Sequence, residues 1–373
     1  MYSVSFAFVF LAGFAAAAPT DSAPDAGFAA GRVPVIYGTD LFHPHNDPDD
    51  HFDLATLFSV RELDVQAILL DQGQRQGDKT GRIPIEQMLR LTGRRIPFAS
   101  GLSSPLTSPQ DTGADQPAGD QGDIELLLQS LRAAPRPVTV IAVGSVRDLC
   151  AAFNREPDLL RRKVGRLYLN MGNSTDGSEY NVDLDIHAYV GLMRSGLPIW
   201  WCPCMPRGDA GSTFWNFHHA DVLRDVPTPV VNYFIYALQA VSPQEIDPQS
   251  ALSANIQPWR HLVLKMDREM WSTASILDAA GMKIYKVGNT YRPARTPPAG
   301  GQLAEVYTFV PARVDINDKG RTKAELRPSE PNMQAFRITD GRNYAQAMRD
   351  CLGWLLRDFP LAPEFRSGHS AKE

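Results

Sequence analysis

The stretch Val33-Pro34-Val35-Ile36-Tyr37-Gly38-Thr39-Asp40-Leu41-Phe42-His43-Pro44-His45-Asn46-Asp47-Pro48-Asp49-Asp50-His51-Phe52-Asp53-Leu54-Ala55 decides how the chain folds. Val33 to Tyr37 reads as a short buried strand. His51 to Val60 reads as a helix, with Phe52, Leu54, Ala55, Leu57 and Phe58 as its apolar positions. Asp64 to Leu70 returns to strand. Strand, loop, helix and strand in this order form the unit that builds a parallel sheet. The loop holds four Asp and three His between Asp40 and His51. In open α/β sheets, ligands bind outside the carboxyl ends of the strands, where this loop falls. Clustered carboxylates repel one another, so a positive partner is expected among them. Several Asp in one loop suit a hard cation such as Ca²⁺, and the histidines would also suit Zn²⁺. Helix capping by Asp49 and Asp50 accounts for those two residues but not for Asp40.

The alternation continues outward from this unit. Gly101 to Asp123 is rich in Gly, Pro, Asp, Ser and Gln and reads as a surface loop or insertion. A helix is expected over Ile124 to Ala133, a buried strand over Pro137 to Val143, and a helix over Ser145 to Phe153 with Ser145 as its N-cap. Val164 to Asn170 is the next strand, Asp185 to Met193 a helix, and Leu197 to Cys202 a strand. Phe214 to Leu238 reads as helical in parts, and Met270 to Ala280 as a helix. Tyr307 to Val314, Thr322 to Leu326 and Met333 to Ile338 read as strands of a smaller C-terminal sheet, closed by a helix over Asn343 to Phe359. The fold class is therefore α/β: a mainly parallel sheet flanked by helices, with a small C-terminal β element.

The totals exclude several classes. The 373 residues are 43% hydrophobic, enough for a large core and incompatible with a disordered or collagen-like chain. The net charge is −5 and no run of five Lys or Arg occurs, which argues against nucleic acid as a partner. Cys150, Cys202, Cys204 and Cys351 are too few for a disulfide scaffold and form no paired C-x-x-C knuckles, so they read as structural. Ser5 to Ala18 is apolar or small and ends in Ala16-Ala17-Ala18 before Pro19, which reads as an export signal. The expected division is a signal peptide over 1–18, a flexible leader over 19–31, one domain over 32–360 and a tail over 361–373. No later stretch is long and apolar enough for a membrane span. The expected location is outside the cytosol, secreted or periplasmic.

Val33 to Phe58 resembles the first strand, metal loop and helix of the inosine–uridine-preferring nucleoside hydrolases, whose signature is D-x-D-P-G-x-D-D-A-x-A-L. Gly38-Thr39-Asp40 stands at D-x-D, and Asp49-Asp50 stands at D-D. Gly38 replaces the first Asp, and the loop between Asp40 and Asp49 is longer. Val138 to Ala152 resembles the family's strand, G-P-L-T-N turn and helix, with Gly144-Ser145-Val146-Arg147-Asp148 at the turn. Val164 to Ala188 resembles the strand ending in M-G-G and the later E-F-N, as Asn170-Met171-Gly172-Asn173 and Glu179-Tyr180-Asn181.

The resemblance implies a Ca²⁺-dependent hydrolase that cleaves an N-ribosyl bond of a small nucleoside-type substrate. It implies Asp40, Asp50 and the Val143 carbonyl as metal ligands, with Asp40 also the base on the attacking water. It implies substrate contacts from Asp49, Asn173, Glu179, Asn181 and Met171. The aromatic stretch Phe214 to His219, His218 above all, is a candidate to stack on or protonate the leaving base. The family's late His-Asp pair is replaced by Met270-Trp271. Asp267 and Glu269 just before it, or His43, His45 and Asp47 in the long loop, are the candidates to compensate. Two other readings stand beside this one. One is a non-catalytic sugar or nucleoside binder of the same fold. The other is a zinc hydrolase, drawn from His43-Pro44-His45-Asn46-Asp47, which matches the H-x-H-x-D opening of metallo-β-lactamase-like enzymes. A homo-oligomer is left open.

Overall fold

The structure, a computed structural model, describes residues 31–73, 79–238 and 245–366. The signal-peptide and leader stretches before residue 31, and the tail beyond 366, lie outside the described residues.

The first half runs β1 (Val33–Thr39), α1 (Asp49–Ser59), β2 (Leu63–Leu70), α2 (Arg82–Thr92), β3 (Phe98–Ser100), α3 (Gly122–Ala133), β4 (Val138–Ala142), α4 (Arg147–Arg155), α5 (Pro157–Lys163), β5 (Val164–Leu169), α6 (Tyr180–Leu184), α7 (Ile186–Met193) and β6 (Ile199–Trp201). The second half adds β7 (Trp215–His218), α8 (His219–Leu223), α9 (Thr228–Ala237), α10 (Pro248–Ala251), α11 (Gln257–Val263), β8 (Asp267–Met270) and α12 (Thr273–Ala279). It closes with β9 (Lys283–Val287), β10 (Thr290–Ala294), β11 (Gln302–Leu303), β12 (Tyr307–Ile316), β13 (Thr322–Leu326), β14 (Met333–Ile338), α13 (Tyr344–Arg357) and α14 (Pro363–Arg366).

Among the described residues nine strands form one sheet in the order β13-β12-β14-β6-β5-β4-β1-β2-β3. The strands from β14 to β3 in this order pair in parallel. β12 pairs antiparallel with both β13 and β14. All five residues of β4 are buried, as expected for a central strand covered on both faces. Apolar layers cover the two faces: Phe52, Phe234 and Leu352 belong to one, and Leu127, Leu160 and Leu192 to the other.

The order reverses between β1 and β4, which are adjacent although β2 and β3 intervene in the chain. Such a reversal opens a crevice at the carboxyl ends of the two strands, because the following connections leave toward opposite faces. Gly144, just past β4, has φ +100° and shapes this crevice. A Cβ there would stand 2.9 Å from Asp40 Cβ and 2.8 Å from Asp71 Oδ2, so only glycine lets the chain pass.

Several expectations need correction. The strands over 307–338 do not form a separate sheet; they extend the main one, because β14 pairs with β6. The small antiparallel sheet is formed instead by β10, β9 and β11. Trp215 to His218 is a strand paired with β8, not a helix. Ser145 does not cap α4: Val146 occupies the cap position, and Ser145 Oγ accepts from the Arg147 amide at 3.3 Å. The start of the expected tail packs on the domain, with Phe365 buried and the Ala362 amide donating to the Leu91 carbonyl. The four cysteines are free and buried. No helix among the described residues is long and apolar enough to cross a membrane.

Candidate active site

A cavity of about 730 Å³ occupies the crevice beyond β1 and β4. Its floor follows from the topology. β1 delivers Asp40, β4 delivers Val143 and β5 delivers Asn170. The 41–48 loop adds Phe42, His45 and Asp47, and α1 adds Asp49, Asp50 and Asp53. The far wall comes from Ser178 to Asn181 and from Cys204, Met205 and Arg207 after β6. Trp271 and Ser272 close it just before α12.

The loop is held in place by backbone and side-chain contacts. The His45 amide donates to the Ala237 carbonyl at 2.9 Å, and the Asp47 amide donates to His45 Nδ1 at 2.7 Å. The Asp47 carboxylate pairs with the buried Arg268 guanidinium. Trp271 Nε1 donates to the Cys204 carbonyl at 2.8 Å, which ties the aromatic wall to the segment after β6.

Burial and crowding raise the carboxyls on this floor. Burial, then Asp71, pushes Asp40 up to about 7. Burial alone drives Asp53 to about 7, with the Ser272 hydroxyl pulling the other way. Asp50 is raised by burial and then by Asp40, with which it shares a hydrogen bond. Asp49 is raised by burial and then by Asp47. Buried carboxyls that repel one another call for a cation, and all-oxygen donors suit a hard divalent ion. Asp40, Asp50 and the Val143 carbonyl fit such an ion by their donor chemistry. Among the described residues no group of three or more His, Cys, Asp or Glu stands as a ready metal cluster.

The histidines do not assemble a zinc site. The His43 and His51 rings are 6.5 Å apart, as are those of His45 and His51. His43 stacks on Tyr236 at 4.9 Å. Burial pushes His45 down to about 4. The parallel sheet also excludes the β-sandwich that the H-x-H-x-D reading requires.

An acidic cavity at the reversal of a parallel sheet is a small-molecule site of the α/β class. The chain belongs to the inosine-uridine preferring nucleoside hydrolase family, whose model matches residues 35–286. It is 31% identical over 189 residues to the pyrimidine-specific ribonucleoside hydrolase RihA of Citrobacter koseri, a match covering 45% of this chain and 58% of that protein. The chain thus spans little more than half the length of the curated relatives it matches. The purine-preferring ribonucleoside hydrolase from Gardnerella vaginalis has the same fold, with a TM-score of 0.50 and 15% identity over 87% of this chain and 99% of that one. A solved inosine-guanosine nucleoside hydrolase gives a TM-score of 0.51 at 14% identity, over 87% of this chain and 98% of that one.

Asp40, Asp49, Asp50, Val143, Glu179 and Asn181 all line the cavity. The Glu179 carboxylate accepts from the Gly172, Asn181 and Val182 amides at 2.9, 3.0 and 3.2 Å, so it builds the rim by capping α6. Three others fall outside. Met171 is fully buried beneath the β5 end. Asn173 turns back on its own loop: its Nδ2 donates to the Ser178 carbonyl and its Oδ1 accepts from Thr175. His218 lies at the end of β7 and pairs with Asp267 at 3.0 Å. The rest of the 214–219 stretch is mostly core, with Trp215, Phe217 and His219 buried and Phe217 and His219 against Phe52. Of the expected compensators, His45 and Asp47 line the cavity, whereas Asp267 faces solvent and Glu269 pairs with Arg207 at 2.5 Å.

Asp53, Asn170, Tyr180 and Arg207 line the cavity without having been singled out. Asp53 was within reach, because i+3 and i+4 from Asp50 and Asp49 is one helix face. Asn170 donates to the Ala142 carbonyl and accepts from Ser275 Oγ at 2.7 Å, joining β5 to α12.

Proposed function

We propose that this chain hydrolyses the N-glycosidic bond between a ribose and its base, with Ca²⁺ as the divalent cofactor. What carries the reading is Asp40: a buried carboxyl, raised to about 7, on the floor of an acidic cavity at the sheet reversal. A base that titrates near the working pH is the effective kind. Asp40 removes a proton from water as its oxygen attacks the anomeric carbon, and the C–N bond to the base breaks. Positive charge develops on the sugar as the base departs, and the acidic floor stabilises it. Asp49 and Asn181 are placed to hold ribose hydroxyls. Phe42, Tyr180 and Trp271 offer ring faces to the base. Asp40, Asp50 and the Val143 carbonyl would hold the cation, which supplies an acidified water and a grip on the sugar hydroxyls when bound.

The test is a panel of purine and pyrimidine ribonucleosides with the Ca²⁺-loaded protein, scored for free base. Release from at least one nucleoside, lost in Asp40→Asn, is expected. No release from any of them overturns the reading. A second reading, a binder without turnover, is favoured by Trp271 standing on a wall where the family carries a carboxylate; nucleoside binding without base release would establish it. The Ser5 to Ala18 stretch supports export, which cell fractionation of the tagged chain tests.

A further inference from the structure

Asp53 follows Asp49 by four residues and Asp50 by three, so all three project from one face of α1 into the cavity. Its side chain is 2% exposed, and its Oδ1 meets no hydrogen-bond partner. An unpaired carboxylate oxygen at this depth is costly without a positive partner. Its neighbour across the cavity is Ser272, in the N-cap position of α12.

The segment before α12 brings no carboxylate of its own to that wall. Met270 is fully buried, Trp271 presents its indole, Asp267 faces solvent and Glu269 is held by Arg207. The acidic charge facing the start of α12 therefore comes from α1.

We propose that Asp53 is a carboxylate ligand of the divalent cation, closing its site from the α12 side, where Trp271 and Ser272 offer no charged oxygen. This rests on the reading that the cavity holds such an ion with Asp40 and Asp50. A hard divalent ion takes more oxygens than those two side chains and the Val143 carbonyl supply, and affinity grows with the number of charged ligands. The competing role for Asp53 is structural, as a partner of Ser272 at the start of α12. Asparagine separates the two, since it keeps an acceptor oxygen and loses the charge.

The experiment is equilibrium Ca²⁺ titration, by calorimetry and by tryptophan fluorescence, of the full chain and of Asp53→Asn, Ser272→Ala and Asp50→Asn. Melting in chelator serves as the folding control. Asp53→Asn is expected to weaken Ca²⁺ binding about tenfold or more, from the lost charged ligand, while melting in chelator is unchanged or raised. Ser272→Ala is expected to bind within about twofold of the parent, since the hydroxyl contributes no charge. Parent-like Ca²⁺ affinity in Asp53→Asn overturns the assignment, as does failure of the parent chain to bind Ca²⁺, Mg²⁺ or Mn²⁺. Base release is scored separately. A chain that needs Asp53 for Ca²⁺ yet frees no base retains this assignment and loses the hydrolase reading.

Discussion

Arg147 Nε donates to Asp185 Oδ2 at 3.1 Å, and both side chains are almost wholly withdrawn from solvent. The same guanidinium donates to the Leu102 carbonyl at 2.8 Å, and Asp185 accepts from the Leu106 and Ala188 amides. This pair joins the start of α4, the start of α7 and the long 101–121 connection behind the cavity. The connection read as a surface loop, yet Leu102 and Leu106 are core residues. Removing one partner strands the other, so Arg147→Ala should lower unfolding free energy by about 3–5 kcal/mol. Urea unfolding measures it, and a loss below about 1 kcal/mol, the range of exposed pairs, would show the pair to be dispensable.

The Asp53 carboxyl gives stability a pH signature. Folded, it keeps its proton to about 7, whereas its ordinary value is 3.8. The folded state therefore holds more protons between those values, and this group's contribution falls as pH rises through that window. In chelator, the melting advantage of Asp53→Asn over the parent should be larger at pH 7.5 than at pH 5, tests chosen at about the two sides of that window. Equal advantages at both pH values would contradict the raised carboxyl. Buried His219, pushed down to about 3, acts with the opposite sign, but it is common to both proteins and cancels.

A carboxylate placed on the α12 side should substitute for one removed from α1. Trp271→Asp in the Asp53→Asn background is expected to recover most of the Ca²⁺ affinity, because it restores a charged oxygen to that wall. Calorimetric titration of the double variant reads this directly. Affinity that stays at the Asp53→Asn value would mean that position 271 cannot reach the ion.

If Asp40 is the base, Asp40→Asn should reduce kcat by about 10²–10⁴-fold at saturating Ca²⁺, the usual contribution of a positioned general base. Initial-rate measurement of base release checks it, and a loss under about threefold would assign the proton transfer to another group.

Glu179→Ala should cost about 0.5–2 kcal/mol, the range for losing a helix cap. Glu179→Gln, which keeps acceptor oxygen, should cost less. Chemical unfolding of both variants decides whether the carboxylate holds the rim, as its three amide contacts indicate.

The parallel half of the fold was legible because each strand from β1 to β6 is a short apolar run and the intervening helices carry their own period. The strands of 307–338 were legible as strands, but their place was not. β14 reaches β6 across more than a hundred residues, and pairing at that distance leaves no local mark. Trp215 to His218 was misread from its aromatic content, although Trp215 and Phe217 turn inward while Asn216 and His218 turn outward, the period of a strand. In the cavity, Asp40, Asp49 and Asp50 could be found because one short loop carries them. Tyr180, Arg207 and Trp271 arrive from three separate segments, so only folding brings them together.

The pairing of β14 with β6 also dictates where the gene can be cut. The family match stops at residue 286, before β12, β13 and β14 begin. A fragment trimmed to that boundary would strip β6 of its neighbour and bare a row of unsatisfied amides and carbonyls along the rim of a hydrophobic slab. Exposed rims of this kind recruit other chains. Expression fragments that end near residue 286 should therefore precipitate, while those that run through α14 keep the rim sealed.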